Sequence, residues 1–269
     1  MVIDFHTHCF PERIAERAIG KLSYASGGLK PHTDGTADGL KARMDRDGVS
    51  LSVVLSIATN EEQQESVNNF ASEINDRDGF VAFGSVYPYA KNALDELDRI
   101  KDMGLLGVKF HPEYQEFYAD DEMMKPIYEK ISRLGLITVF HAGYDFAYKP
   151  PFRGMPDNIR NAMRWFDSPV VAAHWGSAAC GYEVLDKLCD IENLYFDTSF
   201  GYGQMTKDVA SRIIEKRGVC NMLFGTDMPW HTANMEMRLL DSLDLSQRDR
   251  EMIFYKNAEK LLNIQKEIK

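Results

Sequence analysis

The sequence predicts a (β/α)8 TIM barrel with an additional C-terminal helix, and three observations carry that expectation. Short apolar runs recur eight times, polar stretches with helical patterning lie between them, and no repeat, linker or low-complexity tract breaks the alternation. The runs cover residues 2–8, 51–58, 80–86, 106–111, 136–141, 169–174, 194–199 and 222–226. Each is short enough for a buried strand. Helices are expected over 61–77, 93–103, 121–134, 157–166, 182–189 and 207–216. Asp121 and Asp157 stand where N-caps belong, because a short acceptor side chain satisfies the free N–H groups of a first turn. Gly104, Gly135 and Gly218 stand where helices should stop. After the eighth run, residues 246–263 pattern as the extra helix. A chain of 269 residues is an ordinary length for one such barrel, so residues 1–269 read as a single domain.

Two segments depart from the rhythm. Residues 143–156 are rich in aromatics, proline and glycine, and residues 23–38 are similarly loop-like. Both follow a strand, and loops after strands lie on the active-site face of a parallel barrel. They are expected to roof a pocket.

Composition narrows the function. Hydrophobic residues make up 44% and charged residues 27%, the mix of a soluble globular protein. A net charge of -10 argues against a nucleic-acid backbone or an anionic membrane as partner, since both reward a basic face. A small-molecule substrate is expected instead. Met1-Val2-Ile3-Asp4-Phe5-His6 is not a basic region followed by an apolar leader, and no run reaches the roughly 18 residues of a membrane span. A cytoplasmic location is the expectation. Cys9, Cys180, Cys189 and Cys220 are scattered without a CxxC pair, which indicates neither a disulfide framework nor a zinc ribbon.

The histidines point to chemistry. Of seven, five end a predicted strand: His6, His8, His111, His141 and His174. Asp227 follows the eighth run in the same way. These groups should converge on one mouth of the barrel. His6 and His8 are two apart, so strand alternation aims both the same way. Imidazoles with a carboxylate suit a divalent ion such as zinc, with manganese as the alternative.

Several segments then carry a family resemblance. Asp4-Phe5-His6-Thr7-His8-Cys9-Phe10-Pro11, Gly107-Val108-Lys109-Phe110-His111-Pro112, Phe140-His141-Ala142-Gly143, Ala173-His174-Trp175-Gly176 and Phe224-Gly225-Thr226-Asp227-Met228-Pro229 occur in this order. Together they resemble the amidohydrolase superfamily, in the amidohydrolase-related branch that includes aminocarboxymuconate-semialdehyde decarboxylase. The resemblance spans nearly the whole chain. It implies one divalent metal held by His6, His8, His141 and Asp227, with His174 as a nearby catalytic group and Asp227 also handling a proton. Lys109 and His111 are two apart and share a face, so they are expected to contact the substrate and anchor a carboxylate, although Lys109 as a salt bridge inside the barrel is nearly as good a reading. Lys109 resembles the strand-four lysine that dihydroorotases carboxylate to bridge two metals, whereas this branch usually manages with one. Members are often homodimers.

Trp175 and Trp230 closely follow site residues and are expected as an aromatic wall of the substrate site, with packing under loops as the bland alternative. Cys9 is expected to be a packed thiol that points away from the histidine pair. The main functional expectation is a hydrolase that cleaves an amide, lactam or lactone of a small carboxylated substrate with a metal-activated water. The alternative is a non-oxidative decarboxylase of an aromatic or dienoic acid on the same ligands. Some decarboxylases of this branch replace the first histidine with glutamate, and the retained His6 leans toward hydrolysis. A deoxyribonuclease of similar length is disfavoured by Lys109 and His111, where such enzymes carry an acidic residue. A non-catalytic ligand-binding barrel is disfavoured by the complete ligand set.

Overall fold

The computed structural model describes residues 1–264. Eight strands follow in chain order: β1 (Ile3–Thr7), β2 (Leu51–Leu55), β3 (Phe80–Phe83), β4 (Gly107–Phe110), β5 (Ile137–Phe140), β6 (Val170–Ala172), β7 (Leu194–Asp197) and β8 (Met222–Leu223). All paired neighbours are parallel, β1 to β3 in one sheet and β4 to β8 in the other. Two seams close them into a barrel. Gly84 bridges Val108 at one, and Thr7 bridges Met228 at the other, where Phe5 N–H also donates to the Phe224 carbonyl at 2.8 Å.

Alternation along the strands makes two cores. Ile3, Phe5, Val53, Leu55, Val81, Phe83, Ile137, Val139, Val171 and Leu223 form one buried cluster drawn from strands all around the ring. Only the barrel interior brings such strands together. Ala258 and Leu262 of the C-terminal helical segment join it. The intervening residues, among them Val54, Ala82, Val108, Phe110, Phe140 and Phe196, pack outward against helix residues such as Leu97, Ile131 and Ile213.

The helices follow the expected alternation: Glu61–Ile74, Ala93–Asp102, Lys125–Leu134, Pro156–Ala162, Gly181–Lys187 and Lys207–Arg217. Gly135 closes its helix in the left-handed conformation at φ 65°, as the sequence suggests. The extra helix starts at the Ser246 capping box, and its residues Met252–Lys256 take π geometry before Asn257–Leu261.

Some local expectations are corrected. Asp157 is not an N-cap; Met155 is, and Asp157 lies in the first turn, where its charge meets the helix dipole and Lys187. Asp121 does hold the N-cap position of the short 3-10 turn Glu122–Met124, although its carboxylate accepts from the Tyr118 N–H and makes no capping bond. The segment 23–38 begins inside a helix, Glu12–Ala25, and a second helix starts at Ala37. Between them the chain folds over the β1 and β8 ends, with His32 N–H donating to the Pro229 carbonyl. Among the described residues, no helix is long and apolar enough to cross a membrane.

Candidate metal centre

Phe5 joins the interior cluster, and His6 reaches Lys109 across the same interior, so two consecutive β1 side chains face inward. A register shift explains this. Asp4 pairs with Ser52 but Thr7 with Val54, which leaves one extra residue in β1. Such a bulge re-aims the side chains beyond it. His6 and His8 therefore point inward together and meet Asp227 from the β8 end, with Nε2–Oδ1 distances of 3.5 Å and 3.1 Å. Asp227 sits at φ 66°, uncommon outside glycine, and its N–H donates to the His6 carbonyl at 2.8 Å. Gly225 permits the close approach, since a Cβ there would lie 3.1 Å from the His6 Cβ.

The hydrogen bonds behind these rings decide what they offer in front. His8 Nδ1 donates to the Leu55 carbonyl at 2.8 Å, because a carbonyl can only accept. His6 Nδ1 donates to the Asp197 carboxylate at 2.8 Å. Burial holds the His6 imidazole well below its ordinary pKa, so it is neutral, and its Nε2 carries a lone pair. His8, with its Nδ1 spent on a carbonyl, presents its Nε2 to the same place. Two imidazole Nε2 atoms and a carboxylate oxygen thus converge, an arrangement that a cation satisfies. The donor set fits a divalent metal of the zinc or manganese kind.

His174 and His141 continue the cluster. His174 Nε2 lies 3.0 Å from His141 Nδ1, and the His6 and His174 ring centroids are 5.0 Å apart. His141 stands one ring further out, and with His111 and Asp145 it forms a second group whose ligand atoms lie within 4.8 Å. In that group His111 Nδ1 accepts from the Tyr114 N–H, and its Nε2 faces Asp145 at 3.3 Å. His111 is accordingly spent on its protein neighbours, stacked between Tyr114 and His141.

Lys109 is 1% exposed, and its ammonium lies 3.3 Å from His6 Nε2. Burial lowers its pKa to about 8, opposed by Asp197 and Asp227. A cation is thus held at the heart of the cluster.

The amidohydrolase sequence profile matches residues 3–264. The chain belongs to the amidohydrolase family. Its fold is shared by solved structures of low identity. An uncharacterised TIM-barrel protein from Bordetella bronchiseptica is 19% identical, with 97% of this chain and 98% of that one covered and a TM-score of 0.80. A 5-carboxyvanillate decarboxylase from Sphingomonas paucimobilis is 16% identical, with coverage of 98% and 99% and a TM-score of 0.74. A dihydroxybenzoic acid decarboxylase from Polaromonas, solved with manganese and the inhibitor 2-nitroresorcinol, is 17% identical, with coverage of 98% and 97% and a TM-score of 0.75. No curated protein matches the chain.

In this amidohydrolase the structure gathers His6, His8, Lys109, His174 and Asp227 directly, with His141 and His111 beside them. The expected tryptophan wall is different. Trp175 is 1% exposed and donates its indole N–H to the Thr198 carbonyl, so its polar edge is spent within the core. Trp230 is half-buried. The rings that flank the histidines come from Phe200, near His174, and Tyr114, against His111. The loop 143–156 does lie over this region, with Tyr148 near Tyr114 and Phe146 near Phe200. Cys9 is a buried thiol, pushed up to about 12.

Sequence reasoning missed Asp197 and Ser199, which back the histidines from β7 and the turn after it. Their signal was present: two polar residues, two apart, at the end of a predicted strand. It also missed Asp4. That buried carboxyl accepts from His6 N–H, Thr226 N–H and the Thr226 hydroxyl, tying β1 to β8, and burial pushes it up to about 8.

Proposed function

We propose that this amidohydrolase is a metal-dependent, non-oxidative decarboxylase of a small aromatic or dienoic acid, with His6, His8, His141 and Asp227 holding the ion. The observation that carries this reading is the position of Lys109. Its ammonium lies against a ligand atom, 3.3 Å from His6 Nε2, inside the cluster. A carboxylate paired with Lys109 therefore stands beside the atoms that would hold the ion. That suits a reaction in which the carboxylate itself departs. In hydrolysis the scissile carbonyl occupies this place, and an anchoring cation belongs further away. Decarboxylases among the structures of like fold support the same choice.

When bound, the ion supplies Lewis-acid charge to the substrate carboxylate and an adjacent oxygen. Lys109 neutralises the carboxylate and fixes its orientation. Asp227 keeps His6 and His8 in register. His174 takes the proton of the adjacent oxygen on Nε2 and returns it to the carbon next to the carboxylate. The bond from that carbon to the carboxylate then breaks, carbon dioxide leaves, and its electron pair stays with the ring or diene. Phe200 and Tyr114 flank the histidines with flat apolar faces suited to such a substrate.

Hydrolysis is the second reading, favoured by Asp227, whose side chain keeps 15% exposure and can take a proton from water. A panel of small aromatic and dienoic acids, lactones and amides, assayed with zinc- or manganese-loaded enzyme for carbon dioxide and for new carboxylate, separates the two. Carbon dioxide from an acid is the expected result. Lactone or amide cleavage without carbon dioxide from any acid overturns the decarboxylase reading.

A further inference from the structure

We infer that Asp197 and Ser199 are positioning residues that fix which ring nitrogen of His6 and of His174 carries the proton, so that both Nε2 lone pairs face the site. Asp197 is fully buried, and both of its oxygens are engaged. Oδ2 accepts from His6 Nδ1 at 2.8 Å. Oδ1 accepts from the His174 backbone N–H at 3.0 Å, the Ser199 N–H at 3.1 Å and the Ser199 hydroxyl at 2.5 Å. The last contact sets a direction. A hydroxyl has one proton, and a carboxylate at this distance takes it.

Ser199 Oγ is then an acceptor toward His174 Nδ1, which lies 2.8 Å away and must carry a proton. An imidazole that carries its single proton on Nδ1 keeps a lone pair on Nε2. That nitrogen lies 3.0 Å from His141 Nδ1, and the other ring nitrogen of His141 lies 3.3 Å from the Tyr144 carbonyl. The Nδ1 protons of His6 and His174 thus point back toward one carboxylate, and their Nε2 atoms point away from it.

The backbone reinforces the arrangement. His174 and Trp175 both sit at φ 60°, a costly conformation for residues with a Cβ. The Asp197 side chain holds the first, and its carbonyl accepts from the Trp175 N–H at 2.7 Å. One residue of β7 thus orients a candidate metal ligand on β1 and the candidate proton carrier after β6. Outer partners of this kind fix tautomers of ligating histidines and typically matter by roughly 10–100-fold in metal affinity.

The inference holds whichever bond the enzyme breaks, and only its zinc arm rests on His6 being a ligand. The test uses full-length protein with 15N-labelled histidine, zinc as the metal, and the variants Ser199→Ala and Asp197→Asn. In wild type, His6 and His174 should both show protonated Nδ1 and unprotonated or metal-bound Nε2. Ser199→Ala should lose that signature at His174 alone, with zinc affinity within about twofold of wild type. Asp197→Asn should lose it at His6 and weaken zinc about 10–100-fold. An unchanged His174 tautomer in Ser199→Ala overturns the inference, and that variant decides alone if Asp197→Asn fails to fold. Wild-type protein that binds no zinc sinks the metal reading, while the His174 signal in apo protein still decides this one.

Discussion

His8 Nε2 and Asp227 Oδ1 stand 3.1 Å apart, while His8 spends its other ring nitrogen on the Leu55 carbonyl. His8 Nε2 and the Asp227 carboxylate are thereby left facing the same point, where they would hold a divalent ion. Purified protein should carry about one divalent ion per chain. Binding to the native state alone stabilises by about 2.7 kcal/mol at one hundred times Kd, so chelation should lower the melting temperature measurably. His8→Ala should abolish that response. Elemental analysis without metal, and no thermal shift on adding zinc or manganese, would remove the site.

His141 and His174 are 3.0 Å apart at their nearest nitrogens, yet their substitutions should differ. His141→Ala should strip or sharply weaken the metal. His174→Asn should keep near-native metal while turnover falls roughly 10²–10⁴-fold, the range for losing an acid–base group. Metal content measured beside kcat distinguishes them. Equal metal loss in both variants would make His174 a ligand instead.

Lys109→Met keeps length and loses the charge. Metal content should stay at one ion per chain, and kcat/KM for the carboxylate substrate should fall by about 10–100-fold, as expected for one charge-assisted contact. Native protein that holds two ions and drops to one in this variant would show that Lys109 serves the metals rather than the substrate.

Glu236, 1% exposed, accepts from the Gly201 and Tyr202 N–H groups and pairs with His231, whose ring stacks on Phe200 at 4.2 Å. It thus joins the loops after β7 and β8. Glu236→Ala should cost about 1–3 kcal/mol through buried donors left without partners. Burial raises the Glu236 pKa above its ordinary 4.5, with the hydrogen bonds opposing. For a raised acid, the stability contribution is full below the unfolded pKa and is lost as pH climbs through the folded one. Glu236→Gln should accordingly lose less stability than wild type as pH rises above the ordinary carboxylate value of 4.5, as read by urea midpoints. A steeper decline in the variant would reverse the assignment.

The eight apolar runs and the histidines at their ends were legible in the sequence because burial inside a parallel barrel imposes a local signature on each strand. His6 and His8 share a direction for the same reason, and the amidohydrolase motifs are contiguous segments. Tertiary structure alone decided the rest. A bulge brings Phe5 and His6 to the same interior, and it depends on how β1 registers against β2. Trp175 spends its indole on Thr198, a partner 23 residues away. The role of Asp197 is the clearest case. It meets His6 across 191 positions of chain, and no local pattern encodes which imidazole a distant carboxylate will orient. Residue type and spacing fix what each strand can carry to the mouth of the barrel. The hydrogen bonds formed there, between segments far apart in the chain, determine which atoms are left to do chemistry.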